Sequence, residues 1–245
     1  MVGEKKIEKM MRKVLLTGAS GGLGRAIAHE LLRRGNFVYL VCNRNADKLA
    51  GIQKDFPGKT LILTHDFESE KPFDQLFEHV EDVDTVIHAL GVSSAGMCWK
   101  ITENEWDRAF RLNVTVPFQI TQKLIPAMRS EQFGRIIFFS SVVAQKGFIG
   151  TSAYAASKSA IFGLVRGMAA DLATSGITVN CVAPGYINSG MIKEVKPEYL
   201  EKVVSSIPMQ ELGEEKHILH AINYLMDEKS AYVTGQVLNV NGGLV

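Results

Sequence analysis

A chain of 245 residues, 46% of them hydrophobic, is long enough to bury a substantial core. Its 27 basic and 26 acidic residues leave a net charge of +1, which argues against a broad electrostatic surface for nucleic acid or for a membrane. The three cysteines, Cys42, Cys98 and Cys181, are too scattered for a disulfide framework or a zinc ribbon, so a reducing, cytoplasmic setting without a metal site is expected.

Residues 1–12 alternate charge with isolated Met and Ile and read as a flexible extension; they lack the apolar run of a secretory signal, and no stretch approaches a membrane span. Val14-Leu15-Leu16 is a short apolar run closed by Thr17-Gly18, after which Leu23, Ile27 and Leu31 recur every four residues as far as Gly35. That pattern predicts a strand, a glycine turn and an amphipathic helix with a glycine C-cap. Phe37–Cys42, Thr60–Leu63 and Thr85–Ala89 follow as strands, with short helices near Ala46–Lys54 and Phe73–Val80 between them. A long helix is expected from Glu103 to Met128, kinked by Pro117 and with Pro126 near its end.

Arg135–Phe139 is the fifth strand, and a helix rich in Ala, Ser and Gly runs from about Ser152 to Thr174. Ile177–Val182 is a sixth strand, ending at Ala183-Pro184-Gly185. The less regular stretch 186–208 is expected to be a mobile cover over a site. A helix near Glu214–Met226 and a strand Gln236–Val240 finish the chain. Strands apolar throughout and separated by helices indicate a parallel sheet covered on both faces, and the absence of repeats or linker-like composition favours one α/β domain over 13–245.

Thr17-Gly18-Ala19-Ser20-Gly21-Gly22-Leu23-Gly24 lies between a strand and a helix, the context a dinucleotide phosphate site requires. Glycines let the backbone approach a pyrophosphate, while free N–H groups and the helix dipole offset its charge. Taken alone, the motif has an ordinary strand-to-helix turn as its lesser alternative. About twenty residues on, where an acidic side chain would bind the ribose hydroxyl of NAD, stand Asn43-Arg44, so Arg44 suits the 2′-phosphate of NADP, although it could also be one more solvated charge. Asp66 is placed for an adenine amino group or for a simple turn.

Tyr154 and Lys158 are four apart and share a helix face. A free phenol has a pKa of about 10, and a neighbouring ammonium favours the phenolate and brings it toward working range. Ser141, at the end of the fifth strand, can hydrogen-bond a substrate carbonyl and hold it against Tyr154. His217 and His220, three apart on a helix, lack a third ligand nearby and read as solvated residues, whereas Cys98 and Trp99 fit either a substrate entrance or a capped loop.

From Lys13 to Val245 the chain resembles a short-chain dehydrogenase/reductase, on the Thr17–Gly24 turn, Asn113, Ser141, Tyr154, Lys158, the Pro184-Gly185 corner and the closing Asn241-Gly242-Gly243. Within that family it is most similar to 3-oxoacyl-[acyl-carrier-protein] reductases, through Val142-Val143-x-x-x-Gly147, Ser152–Lys158, Ile177–Asn180, Ala183–Ile187 and Thr234-Gly235-Gln236. The resemblance implies a single Rossmann-type doubly wound sheet of about seven mostly parallel strands. It implies a catalytic set in which Tyr154 is the general acid, Ser141 orients the carbonyl, Lys158 binds the nicotinamide ribose and lowers the tyrosine pKa, and Asn113 holds a relay water. Gly18, Ser20, Gly22, Leu23, Gly24, Arg44, Asp66, Ala89, Gly91, Tyr154, Lys158, Pro184, Gly185, Ile187 and Ser189 would line the cofactor, with NADP(H) favoured over NAD(H).

The expected reaction is NADPH-dependent reduction of a 3-oxoacyl thioester, linked to acyl carrier protein or CoA, by a homotetramer built on the two long helices. Alternatives are a sugar, steroid, polyketide-type or other secondary-alcohol dehydrogenase, and a nucleotide-binding partner subunit without activity. Three departures stand out. The family's Asn-Asn-Ala-Gly is His88-Ala89-Leu90-Gly91, so that His88 or a water must satisfy backbone groups that the asparagine would bind. Position 21, often basic where NADP is used, is glycine, and Ala173-Thr174-Ser175-Gly176 lacks the arginine common in carrier-protein reductases, for which Arg129, Arg135, Lys146 and Arg166 could compensate.

Overall fold

The computed structural model describes residues 11–69, 74–190, 192 and 197–245. The proposed extension lies outside these residues except for its last two, and of those Arg12 is packed rather than loose. It pairs with Glu228 at 2.7 Å and stacks 4.0 Å from the centre of the Phe133 ring.

Seven strands form one sheet in the order β3-β2-β1-β4-β5-β6-β7. They are β1 (Lys13–Thr17), β2 (Phe37–Cys42), β3 (Thr60–Thr64), β4 (Thr85–His88), β5 (Gly134–Phe139), β6 (Ile177–Pro184) and β7 (Val237–Val240). Every pairing is parallel, in keeping with the expected sheet of about seven mostly parallel strands. The helices are α1 (Gly22–Arg33), α2 (Ala50–Asp55), α3 (Asp74–Phe77), α4 (Glu103–Phe110), α5 (Val116–Ser130), α6 (Ser152–Leu172), α7 (Pro197–Ser206) and α8 (Glu215–Met226).

Alternation along β1 shows how the sheet is covered. Val14 and Leu16 face a layer made by Ile27 and Leu31 of α1, Ile52 of α2 and Ile222 of α8. Leu15 faces the opposite layer, where Ile120 of α5 and Ile161 and Val165 of α6 pack on Val86 and Phe138. Because both faces are buried, the strands carry apolar side chains at successive positions, and this is why their sequences look continuously hydrophobic. The strand order reverses direction between β1 and β4, and the carboxyl ends of those two strands open the crevice where such sheets bind ligands.

Several boundaries differ from expectation. The single helix from Glu103 to Met128 is α4 and α5 joined by a wider π-type turn over Arg111–Thr115. Pro117 sits in the first turn of α5 and has no N–H for the carbonyl four residues back, which belongs to Asn113. The disruption therefore falls one turn before the proline. The helix around Phe73–Val80 shortens to four residues, with Phe73 outside the described residues. In the stretch 186–208, α7 supplies regular structure that its composition did not suggest, while residues 191 and 193–196 lie outside the described ones.

Candidate active site

Two adjoining hollows run across the carboxyl edge of the sheet and share Ala89–Val92. The first, about 260 Å³, is bounded by Gly18, Ser20, Gly21, Asn43, Phe67 and Glu68. The second, about 460 Å³, is bounded by Ser141, Tyr154, Lys158, Phe148, Tyr186 and Ile192 among others. Leu23, Ala89, Gly91, Pro184, Gly185, Ile187 and Ser189 also face the second hollow.

The glycine turn is shaped by contacts that no side chain could share. Gly18 has φ +69°, and a Cβ there would stand 2.6 Å from Leu90 N; a Cβ on Gly24 would lie 2.1 Å from Gly18 O. Gly22 is hemmed by Ser189 Oγ at 2.9 Å from its notional Cβ. Helix α1 starts at Gly22 with no side-chain cap and no acidic residue in its first turn. Its first N–H groups and dipole thus face the hollows without a competing acceptor, a donor set that suits a pyrophosphate.

The reactive side chains come from three elements. Ser141 follows β5 in extended conformation and caps a short turn, with Val143 N donating to its Oγ at 3.3 Å. Tyr154 and Lys158 lie one turn apart on α6. The Ser141 hydroxyl beside the phenol pulls its pKa down, but burial is the larger influence and leaves the phenol above its ordinary value. The Lys158 ammonium is 5.9 Å from the centre of the Tyr154 ring and donates to Phe139 O at 2.8 Å. Burial lowers it to about 8. The expected depression of the tyrosine pKa by this lysine is therefore not produced by the chain alone, because the ammonium is turned to a backbone carbonyl.

Asn113, 2% exposed, sits in the π-type turn. Its Oδ1 accepts from Val92 N at 2.8 Å, and its Nδ2 donates to Val92 O at 3.0 Å and to Ser157 Oγ at 2.9 Å. Ser157 Oγ donates in turn to Tyr154 O at 2.8 Å, and Ser140 Oγ donates to Lys158 O at 2.7 Å. The asparagine is thus backbone-bonded, to the loop after β4 rather than to its own helix. Ser140, Ser157 and the carbonyl of Phe139 were missed from sequence; the three-residue step from Tyr154 to Ser157 was the signal available for one of them.

The adenosine end departs more. The Arg44 side chain is 82% exposed, lies 3.8 Å from Asp66 and stays outside the lining of the first hollow. Asp66 also remains outside it, because its Oδ1 accepts from Asn43 Nδ2 at 3.1 Å and from Glu68 N at 3.1 Å; it is a turn former here. Ser189 faces the second hollow but donates to Glu215 at 2.5 Å.

The remaining candidates resolve in the same way. Cys98 and Trp99 form an exposed turn and line neither hollow. His217 Nδ1 accepts from Glu214 N at 3.0 Å as part of a helix cap, and no metal-binding cluster occurs among the described residues. Arg135 is 2% exposed, with its guanidinium 4.3 Å from the centre of the Phe133 ring, so it cannot serve a docking surface; Arg129, Lys146 and Arg166 are exposed. His88 does not satisfy strand backbone; its Nε2 meets Thr121 Oγ1 at 2.7 Å. No helix among the described residues is long and apolar enough to cross a membrane.

A family model described as enoyl-(acyl carrier protein) reductase matches residues 18–245. Nodulation protein G of Azospirillum brasilense is 36% identical over 96% of this chain and 99% of its own length. Acetoacetyl-CoA reductase of Cupriavidus necator is 34% identical over 95% of this chain and 98% of its own. The crystal structure of a 3-oxoacyl-[acyl-carrier protein] reductase from Brucella melitensis with bound NAD superposes with a TM-score of 0.85 at 31% identity, covering 95% of this chain and 90% of that one. With the parallel sheet and the Ser141, Tyr154 and Lys158 arrangement already described, these matches make the chain a member of the short-chain dehydrogenase/reductase family of oxidoreductases.

Proposed function

We propose that the protein reduces a 3-oxoacyl thioester to the 3-hydroxyacyl thioester with NADPH. The observation that carries this reading is that Ser141 and Tyr154 line one largely apolar hollow, with Lys158 buried beside them. The names of two relatives, an acetoacetyl-CoA reductase and a 3-oxoacyl-[acyl-carrier protein] reductase, support the substrate class.

The nicotinamide supplies the hydride. The chain's own groups do the rest. The amides from Gly18 to Gly24 and the start of α1 hold the phosphates, and the hollow that Gly91 and Lys158 both line takes the ribose. Ser141 donates a hydrogen bond to the ketone oxygen, holding it against the phenol. Tyr154, neutral because burial raises its pKa, gives its proton to that oxygen as it gains negative charge. Lys158 then stabilises the phenolate, and Asn113 fixes the loop beneath. Leu90, Val92, Val142, Phe148 and Tyr186 exclude water and contact the acyl chain, with Ile187 and Ile192 beside them in the lining.

Residues 13–245 act as one domain in this account, in a cytoplasmic protein with unpaired cysteines. Exposed Gly163 and Gly167 on α6, where an added Cβ would meet nothing, support close helix pairing in a tetramer of four 27.0 kDa chains, which sedimentation would report.

Arg44 is the cation nearest the ribose end, and turning it from Asp66 would bring it to a 2′-phosphate. A kinetic comparison of NADPH with NADH on CoA-linked and carrier-linked acetoacetyl substrates tests cofactor and substrate together. Arg44→Ala should weaken NADPH by on the order of tenfold or more and leave NADH within about twofold. Equal losses for both cofactors would remove Arg44 from this role, and activity confined to simple alcohols or sugars would sink the thioester reading.

A further inference from the structure

His88 closes β4 and is 1% exposed. Its ring stacks on Phe138, with centroids 5.0 Å apart, and Phe138 precedes the residue whose carbonyl receives the Lys158 ammonium. The hydrogen bonds fix its tautomer. Thr121 Oγ1 lies 2.8 Å from Pro117 O, to which its only proton goes, so toward His88 Nε2, at 2.7 Å, it presents a lone pair. The imidazole proton must then be on Nε2, and Nδ1 is a buried acceptor that no described protein group reaches. Burial and, less strongly, the Lys158 ammonium hold the ring near a pKa of about 3, so it stays neutral and keeps this polarity at working pH.

The bonds form a rail. His88 Nε2–H donates to Thr121, Thr121 donates to the Pro117 carbonyl, and Pro117 lies two residues after the turn Arg111–Thr115 that carries Asn113. A wide turn is a weak point in a helix, because its carbonyls lose regular partners. Here the strand end grips the first turns of α5, just beyond the wide turn, from inside the core. An asparagine at position 88 is too short to reach Thr121 in the same way.

We infer that His88 is a positioning residue for the proton side of the reaction: through Thr121 and Pro117 it locks the turn that carries Asn113 against the end of β4, keeping Asn113 in register with Lys158 and Tyr154. The inference rests on the reading of Tyr154 as the proton donor. It differs from a strand-stapling role, because the bond runs to a helix and not to the neighbouring strand.

The test uses the full chain, with acetoacetyl-CoA and NADPH. His88→Asn and Thr121→Val should each lower kcat on the order of tenfold to a hundredfold, the scale of a small misplacement of catalytic groups. KM for acetoacetyl-CoA and the Kd for NADPH, read by cofactor fluorescence, should stay within about twofold. The double variant should lose no more than either single one, as expected for two members of one chain of bonds. Thr121→Ser, which keeps the hydroxyl, should restore kcat. In the ligand-free protein, amide hydrogen exchange over Arg111–Val116 should quicken in the two damaging variants and return to normal in Thr121→Ser. Unchanged kcat in Thr121→Val, additive losses, or an equal loss of kcat in Thr121→Ser would overturn the proposal. A Tyr154→Phe control separates the two claims: if it keeps full activity, the proton-donor reading itself fails and takes this one with it, whereas an inactive control with normal His88 and Thr121 variants defeats the rail alone.

Discussion

Tyr154 and Lys158 are tuned in opposite directions by the same cause. Burial raises the phenol and lowers the ammonium to about 8, because each charged form loses water that the protein only partly replaces. For ketone reduction this is a useful pairing, since the acid must be neutral and the group behind it charged. The ammonium is present below about pH 8 and lost above it, so the reduction rate should fall as pH rises past that value. Stability follows the same group with the opposite sign. Between about 8 and the ordinary lysine value of 10.5 the unfolded chain holds a proton that the folded chain releases, so stability should rise with pH across that window. Chemical denaturation between pH 7.5 and 10.5 should show this rise in the parent and a flatter curve in Lys158→Met; parallel curves would mean that the buried lysine keeps its solution pKa.

At the scale of elements, the turn from β1 to α1 and the wide turn between α4 and α5 do the positioning. The first is tight enough that Gly18 and Gly24 are obligatory. Gly24→Ala would drive a Cβ into the Gly18 carbonyl at 2.1 Å, so the turn must open or the helix must shift. A loss of about 1–3 kcal/mol in stability, from overpacking, together with a loss of NADPH affinity on the order of tenfold, is expected by denaturation and by cofactor fluorescence; a variant with parent affinity would show that these amides do not hold the phosphates. This turn was legible in the sequence, because glycine spacing and the switch of hydrophobic period are local signals. The wide turn was not. Pro117 marked a disruption, but the bonds that Asn113 makes from the turn to Val92 cross the core, and those are tertiary. The same holds for Ser157 and Ser140, whose roles appear only once α6 is packed on β5.

For the molecule as a whole, the parallel direction of the strands followed from continuous apolar runs alternating with helices, and all seven strands lie where the pattern put them to within two residues. The parallel sheet explains why the reactive groups, far apart in sequence, meet at one edge: each stands at or just beyond the carboxyl end of a strand or on the helix packed there. What sequence pattern could not supply is the state of individual side chains. Asp66 and Arg44 have suitable chemistry for adenine and phosphate, yet they engage each other and Asn43 in the ligand-free chain. Arg135, counted as a surface charge, is buried because β5 has neighbours on both sides and an aromatic ring beneath its basic end. The central claim is that Tyr154 protonates a 3-oxoacyl thioester as hydride arrives. The most direct measurement is the rate of NADPH oxidation by purified parent and Tyr154→Phe proteins with acetoacetyl-CoA, cofactor binding being checked by fluorescence in both. The account predicts turnover by the parent and a loss of kcat on the order of a hundredfold or more in the variant, with NADPH still bound; a variant that turns over as fast as the parent, or a parent that binds NADPH and leaves acetoacetyl-CoA unreduced, would contradict it.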